Sequence, residues 1–333
     1  MDQSFPQNGP PWTRRQFLQI AGTLTVGTTC GHHVLSAATP AGKPPSLMQI
    51  GILLGTFVQP PLEARLDAAR TSGIDCVQLS LDCAGISAMP DEVPPELVVR
   101  IRRETAARGI TIGSLQGTYN MSHPDAEHRE SGLRRLRVLA DLAKELSVPR
   151  IHICSGTRDR VSMWRNHPDN ATPAAWKDMV ESMRGATEIA RQANVIVAFE
   201  PEVNNVVDSA AKARRLLDEI GSPHLKVTMD AANLFHRGEL PRMKEVLDEA
   251  FALVGKDIVM AHAKDLDHDG DAGHKAAGEG KLDYDRYLSL LHKYGFTGPI
   301  FLHGLSVAQV PGCVTFLREK MARAAEERSG GGK

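Results

Sequence analysis

From Met48 onward, short apolar runs alternate with longer segments in which apolar residues recur at three- and four-residue spacing. The short runs predict β-strands, and the longer segments predict amphipathic helices that cover them. One helical stripe contains Leu136, Leu139 and Ala140, and a last helix is predicted over residues 313–327. The predicted strands cover residues 49–54, 76–81, 111–115, 150–154, 195–200, 226–230, 258–263 and 299–303.

Eight strand–helix repeats follow one another without an interruption. This repeat number is typical of the α/β class with a closed parallel (β/α)8 TIM barrel in a single domain. A glycine-rich dinucleotide-binding turn does not follow the first predicted strand, which argues against a doubly wound sheet. We therefore expect the barrel to span residues 47–327, followed by a disordered tail at 328–333.

The first 46 residues have a different character and predict an export signal. Arg14 and Arg15 precede a moderately apolar stretch at 20–34, and small residues follow at 36–38. This order resembles a twin-arginine (Tat) signal peptide with a linker. It predicts a periplasmic or otherwise exported protein. The apolar stretch is short and polar for a bilayer span, so we expect no stable membrane anchor after cleavage.

Composition narrows the classes of partner. The formal net charge of -1 gives no general attraction to nucleic acid or to an anionic membrane, so we expect no nucleic-acid partner. The apolar fraction of 42% and the charged fraction of 24% are ordinary for a globular enzyme. A small-molecule partner fits this composition, and a homo-oligomer is an open alternative.

Ionisable residues stand where the later predicted strands end. Glu200 and Glu202 follow the fifth strand, Asp230 ends the sixth, His262 lies on the seventh and His303 ends the eighth. In a TIM barrel these positions share one rim, which carries the chemistry. Carboxylates and imidazoles gathered there repel or desolvate one another unless a cation joins them. The pattern predicts a divalent-metal site with four ligands, Glu200, Asp230, His262 and His303. Mn²⁺ or Zn²⁺ is the first expectation, and Co²⁺ or Mg²⁺ are the alternatives.

Other polar residues are candidates for contacting a substrate. Arg158 and Trp164 follow the fourth strand and could grip an anionic group or pack against a sugar ring. His123 follows the third strand, and His152 lies within the fourth. The alternative for the loop residues is a solvated loop closed by Arg–Asp pairs. The alternative for His152 is a hydrogen-bonded core histidine.

Four short motifs stand at or after the later predicted strands. They are AFEPE at 198–202, MDAANL at 229–234, HAKD at 262–265 and GEGKLDY at 278–284. These motifs resemble the xylose isomerase-like, or sugar phosphate isomerase/epimerase, family, and the resemblance spans essentially the whole barrel. It implies a metal held by Glu, Asp, His and a final Glu, of which the first three fall on Glu200, Asp230 and His262.

The fourth position departs from the family pattern. His303 stands where many relatives have a second glutamate. Typical members use two glutamates on opposite faces of the substrate, so one of these bases would here be imidazole, whose ordinary pKa lies near neutrality. The loss of the second glutamate also leaves open a reaction that needs one base, such as β-elimination or hydration.

The leading hypothesis is a divalent-metal-dependent sugar isomerase or epimerase. It would abstract a proton next to a carbonyl and form a metal-stabilised enediolate. Glu200, Glu202 and His303 are the candidate bases, and Asn233 and Lys264 would contact the sugar or orient ligands. The alternatives are a metal-dependent lyase or hydratase of 3-keto-sugars and a non-catalytic sugar-binding protein.

Overall fold

A computed structural model describes residues 48–58 and 61–330. The predicted export signal, within residues 1–46, lies outside the described residues. Within the described part of the chain, no helix is both long enough and apolar enough to cross a membrane.

Eight parallel strands close into a barrel, which confirms the predicted fold. Each strand pairs with its neighbour along the chain, β6 pairs with β7, and the last strand, β9, pairs with both β7 and β1. A two-residue strand, β8, which the sequence pattern did not predict, forms an antiparallel pair with the end of β7. The strands are β1 (Ile50–Leu53), β2 (Cys76–Leu79), β3 (Thr111–Gln116), β4 (Arg150–Cys154), β5 (Ile196–Glu200), β6 (Leu225–Asp230), β7 (Ile258–Asp265), β8 (Lys275–Ala276) and β9 (Ile300–Leu302).

Helices surround the barrel, and local signals mark several of their ends. Asp125 and Thr172 accept hydrogen bonds from backbone N–H groups in the first turns of α3 and α4, as N-caps do. The helices are α1 (Leu62–Thr71), α2 (Pro95–Ala107), α3 (Ala126–Glu145), α4 (Pro173–Ala193), α5 (Ala210–Ile220), α6 (Met243–Val254), α7 (Tyr284–Lys293) and α8 (Val310–Gly330). Short 3-10 turns cover Leu54–Thr56, Leu81–Ala84, Pro168–Ala171, Ala231–Asn233, Leu240–Arg242, Gly255–Asp257 and Val307–Gln309.

The last helix is longer than the pattern predicted. It begins at Val310 instead of residue 313, because Pro311 lies in the first turn, where a helix needs no backbone donor. It ends at Gly330, so the predicted disordered tail overlaps the helix at residues 328–330. Residues 331–333 lie outside the described residues.

A single phenylalanine fills the middle of the barrel. Phe301 on β9 packs with Cys76, Ala198 and Met260, and all four side chains are fully buried. A methyl group at Gly51, which is paired with Phe301 across β1 and β9, would overlap the ring. The ring therefore occupies the space that this glycine leaves free.

The same ring supports the candidate site. Phe301 is the register partner of His262, and the two rings meet edge to face with their centroids 6.5 Å apart. Packing of the barrel interior thus helps to fix the position of an imidazole at the carboxyl ends of the strands.

Replacing this phenylalanine should destabilise the whole domain. We expect Phe301→Ala to lower the free energy of unfolding by about 3–5 kcal/mol, because a rigid barrel cannot collapse around the cavity. Chemical denaturation measures this change. Phe316→Ala, at a half-buried position on α8, is the control and should cost clearly less. Equal losses in the two variants would contradict the interior role of Phe301.

Candidate functional site

Four ionisable side chains meet at the carboxyl ends of the strands. Glu200 ends β5, Asp230 ends β6, His262 lies in β7 and His303 follows β9. His262 Nδ1 lies 3.6 Å from Glu200 Oε2 and 3.7 Å from Asp230 Oδ2. His303 Nδ1 lies 3.9 Å from Asp230 Oδ2. The structure therefore brings together the four residues that the strand-end pattern singled out.

Three of the converging atoms lack hydrogen-bond partners. Asp230 Oδ2, His262 Nδ1 and His303 Nδ1 are buried, and none has a partner in hydrogen-bond geometry within the described chain. Asp230 Oδ2 has the ammonium of Lys264 as an ion-pair partner at 3.2 Å. Candidate ligand atoms of these three residues lie within 4.8 Å of one another. Buried polar atoms left unsatisfied cost free energy, and a divalent cation between them would remove that cost. Mixed carboxylate and imidazole donors in this arrangement fit such a cation.

His152 on β4 joins the same group. Its Nε2 lies 3.3 Å from Glu200 Oε2, and its Nδ1 is hydrogen-bonded to Thr228 Oγ1 at 3.1 Å. His152, Glu200 and His262 also place ligand atoms within 4.8 Å of one another. The sequence suggested a substrate contact for His152, and the geometry places this ring among the groups that could hold a metal.

Gln78 orients the central imidazole, and the sequence reasoning missed it. Its Oε1 lies 3.1 Å from His262 Nε2, and its side-chain amide donates to Gln116. An amide oxygen can only accept, so the tautomer that satisfies this pair carries its proton on Nε2. The neutral form of this ring would then leave a lone pair on His262 Nδ1, the atom that faces Glu200 and Asp230, so metal binding there would displace a proton. The available signal was a glutamine within the apolar strand Cys-Val-Gln-Leu.

Asn233 orients the carboxylate of Glu200. Its Nδ2 donates to Glu200 Oε1 at 2.5 Å, and its Oδ1 accepts from Gly273 N at 2.8 Å. One side chain thus connects the end of β5 to the loop between β7 and β8. The other oxygen of Glu200, Oε2, remains directed toward the imidazoles of His152 and His262.

The ionisable groups at the site shift one another's pKa values. Burial alone would raise the pKa of Glu200, but His262 and His152 outweigh it and hold that pKa well below its usual range. Burial would lower the pKa of His262, but Glu200 and Asp230 raise it to about 9. Burial, with the positive charge of Lys264, holds the pKa of His303 well below its usual range. His303 is therefore a neutral imidazole near pH 7, with a lone pair free to bind a metal.

The site opens into a cavity of about 420 Å³ at the barrel mouth. Lys264 lies on its wall with its Nζ 3.2 Å from Asp230 Oδ2. Glu202 accepts from Asn204 N at 2.9 Å and from Asn205 Nδ2 at 2.5 Å. Burial raises the pKa of Glu202 to about 7. The residues that line the cavity are Leu53, Gln116, His152, Trp164, Glu200, Glu202, Asn204, Asn233, His262, Lys264, Asp271, Ala272 and His303.

Two predicted substrate contacts lie elsewhere. Arg158 donates to Asp178 at 2.8 Å and to Ser122 O at 3.1 Å, which directs its guanidinium toward α4. His123 accepts from Asp125 N at 3.1 Å and stacks on His128. Neither residue lines the cavity. The contacts hold Arg158 against α4 and His123 against the start of α3. Trp164, from the same loop as Arg158, does line the cavity.

A second histidine–carboxylate group lies on the surface. Asp267 Oδ1 lies 2.6 Å from His268 Nδ1 and 2.7 Å from His274 Nε2, and its other oxygen lies 3.1 Å from Lys275 Nζ. Both oxygens of this carboxylate already have partners, in contrast to the group at the barrel mouth. This geometry is that of a self-satisfied surface loop.

Removing the support for His262 should weaken the fold. We expect Gln78→Met, which keeps the side-chain length, to lower the free energy of unfolding by about 1–3 kcal/mol, because His262 Nε2 loses its buried partner. Denaturant titration measures the change. Gln192→Met replaces an exposed glutamine and should shift stability by less than about 0.5 kcal/mol. A Gln78 variant as stable as this control would show that the buried hydrogen bond is dispensable.

Known proteins share this fold and site region. The family described as xylose isomerase-like TIM barrel matches residues 66–312. The chain is 22% identical over 270 residues to L-ribulose-5-phosphate 3-epimerase UlaE of Escherichia coli, covering 78% of this chain and 90% of that protein.

Solved structures show the same architecture. A D-tagatose 3-epimerase-like protein superposes with a TM-score of 0.69 at 14% identity, covering 84% of this chain and 99% of that one. A xylose isomerase-like TIM barrel protein from Mycobacterium smegmatis in complex with magnesium superposes with a TM-score of 0.64 at 17% identity, covering 84% and 97%. Sugar epimerases are therefore among the relatives, and the extent of the family match shows that this chain belongs to the xylose isomerase-like TIM barrel family.

Proposed function

We propose that this protein is a divalent-metal-dependent sugar epimerase or isomerase that moves a proton at the carbon beside a carbonyl. The observation that carries the proposal is the group of three buried, unsatisfied atoms on Asp230, His262 and His303. They lie beside Glu200 at the floor of a cavity large enough for a small sugar. The sugar epimerase among the relatives supports the substrate class.

The proposed ligands are Glu200, Asp230, His262 and His303. Their nitrogen and oxygen donors suit Mn²⁺ or Zn²⁺, with Co²⁺ and Mg²⁺ as alternatives. When bound, such a cation supplies positive charge opposite the negative charge that develops on the sugar oxygens during proton removal. Lys264, which lies 3.2 Å from Asp230 and lines the cavity, adds a donor for the same oxygens.

Epimerisation needs proton carriers on two faces of one carbon. Glu200 ends β5 and His303 follows β9, with β6 and β7 between them around the barrel. The two side chains therefore reach the cavity from different sides, and both line it. We assign removal of the proton to the Glu200 carboxylate and delivery of a different, solvent-derived proton on the other face to an N–H of His303. Glu200 then releases its proton to water, and His303 regains one from water.

Glu202 lines the wall next to Glu200. Asn204 and Asn205 donate to its two oxygens, so the carboxylate is held in one orientation. We propose that Glu202 binds a sugar hydroxyl. The lyase, hydratase and non-catalytic alternatives gain no support from the relatives, among which sugar epimerases are found.

The metal site can be tested apart from the reaction. After loading with Mn²⁺ or Zn²⁺ and desalting, we expect the wild-type protein to retain the ion and Asp230→Ala to lose it, because Asp230 contributes a central donor. Elemental analysis by mass spectrometry measures the content. Asp267→Ala, which alters the surface group, is the matched control and should keep the ion. Metal retained by Asp230→Ala, or lost by Asp267→Ala, would place the ion elsewhere.

Proton transfer can be followed in D₂O. We expect the metal-loaded protein to convert a keto-sugar to its epimer or isomer with deuterium incorporated at the carbon next to the carbonyl, as nuclear magnetic resonance would show. Glu200→Gln should slow this exchange by at least about 100-fold, because it removes a base. His303→Glu should retain more activity than His303→Ala, because glutamate can both bind metal and carry a proton.

The metal content of each variant is measured beside its exchange rate, so that loss of metal is separated from loss of proton transfer. Product formed without deuterium from the solvent would argue against abstraction at this carbon. Equal rates for His303→Ala and the wild-type protein would remove His303 from the proposed mechanism.

A further inference from the structure

The charges around the cavity indicate which class of sugar it accepts. We propose that the site selects a neutral, unphosphorylated sugar, an inference that rests on the proposed epimerase or isomerase function. The curated relative from Escherichia coli acts, by its name, on a sugar phosphate. This chain would therefore differ from that relative in the chemistry at the far end of the substrate.

The cavity wall has few positive charges. Among the residues that the structure describes, Lys264 is the only lysine or arginine that lines it, and its Nζ lies beside Asp230 at the buried floor. Three carboxylates, those of Glu200, Glu202 and Asp271, line the same cavity. The metal that we propose would also lie at the floor, next to Glu200 and Asp230. The positive charge is therefore concentrated at the end where the carbonyl reacts.

The mouth of the cavity carries a negative charge. Asp271 is exposed there, and its Oδ1 accepts from Asn204 Nδ2 at 2.6 Å and from its neighbour Ala272 N at 2.8 Å. These contacts hold the carboxylate at the rim and keep it ionised. A phosphate group carries about −1.5 to −2 charges at pH 7, so Asp271 would repel it. Sugar hydroxyls, by contrast, can donate to this carboxylate.

The arginines of the neighbouring loop are held in other contacts. Arg165 binds both oxygens of Asp159, with distances of 2.7 Å and 2.9 Å. Arg158 is bound to Asp178. Neither guanidinium lines the cavity, although bidentate arginine is the usual partner of a phosphate. Trp164, a residue that is 45% exposed, is the one that this loop contributes to the cavity. Its ring suits the apolar face of a sugar.

The 3-10 turn Val307–Gln309, which precedes the last helix, is also capped from within. TIM barrels often bind phosphate at backbone N–H groups near the final strands. Here Ser306 N donates to Gln309 Oε1 at 2.8 Å, so the side chain of Gln309 occupies a donor that a phosphate could use. The two parts of the rim that carry Asp271 and Trp164 thus offer no cationic group to a phosphate, and the backbone donor of Ser306 is already taken.

Paired sugars test the inference by binding. Isothermal titration of the metal-loaded full chain with L-ribulose and with L-ribulose 5-phosphate would give the ratio of the two affinities. We expect the free sugar to bind at least about tenfold more tightly. Asp271→Arg should shift this ratio toward the phosphorylated sugar by at least about tenfold, because it replaces a repulsive charge with an attractive one.

Asp141→Arg is the matched control. It makes the same change of charge at an exposed position on α3, away from the cavity, and should leave the ratio unchanged within about threefold. Equal or tighter binding of the phosphorylated sugar by the wild-type protein would overturn the inference. A shift in Asp141→Arg as large as that in Asp271→Arg would overturn it too.

Exchange in D₂O with the same two sugars separates this inference from the proposed function. Preferential binding of the free sugar without any exchange would contradict the epimerase or isomerase function and leave the selectivity standing. Faster exchange with the phosphorylated sugar would support the epimerase or isomerase function and contradict the selectivity for a neutral sugar. Binding of neither sugar would overturn both.

Discussion

The barrel closes only by burying carboxylates and imidazoles together at one end. Parallel pairing in register carries the ends of β5, β6, β7 and β9 to the same floor, with Asp230 opposite His262 across β6 and β7. Asp230 Oδ2 and His262 Nδ1 then have no hydrogen-bond partner within the described chain. Lys264 Nζ, 3.2 Å from Asp230 Oδ2, offsets part of the cost of burying them. The proposed cation would offset more of it and would thereby link the stability of this end to metal binding.

Much of the surrounding structure holds these side chains in place. Gln78 binds the far nitrogen of His262, Asn233 holds one oxygen of Glu200, and Phe301 packs beneath the imidazole. The hydroxyl of Tyr287, on α7, donates to backbone oxygens of both β6 and β7. The geometry of the site thus depends on residues from the barrel interior and the outer helices, which is how a rigid scaffold positions ligands.

The two ends of the cavity differ in charge, and under the proposed function the floor would serve the reaction and the mouth would serve recognition. At the floor, Lys264 and the imidazoles accompany Glu200 and Asp230. At the mouth, the carboxylate of Asp271 lies among neutral polar and apolar groups. A family can therefore keep the chemistry at strand ends while loops change the substrate, because loops tolerate substitution without loss of the barrel.

The sequence by itself determined the eight strands and the residues at their ends, because strand periodicity and end position are local properties. Glu200, Asp230 and His262 could be chosen as candidate ligands on that basis. Only the tertiary structure decided that Gln78, 184 residues away from His262, orients this ring, and that Arg158 turns toward α4. Side-chain direction in loops, and hydrogen bonds between distant strands, depend on contacts that no local pattern encodes.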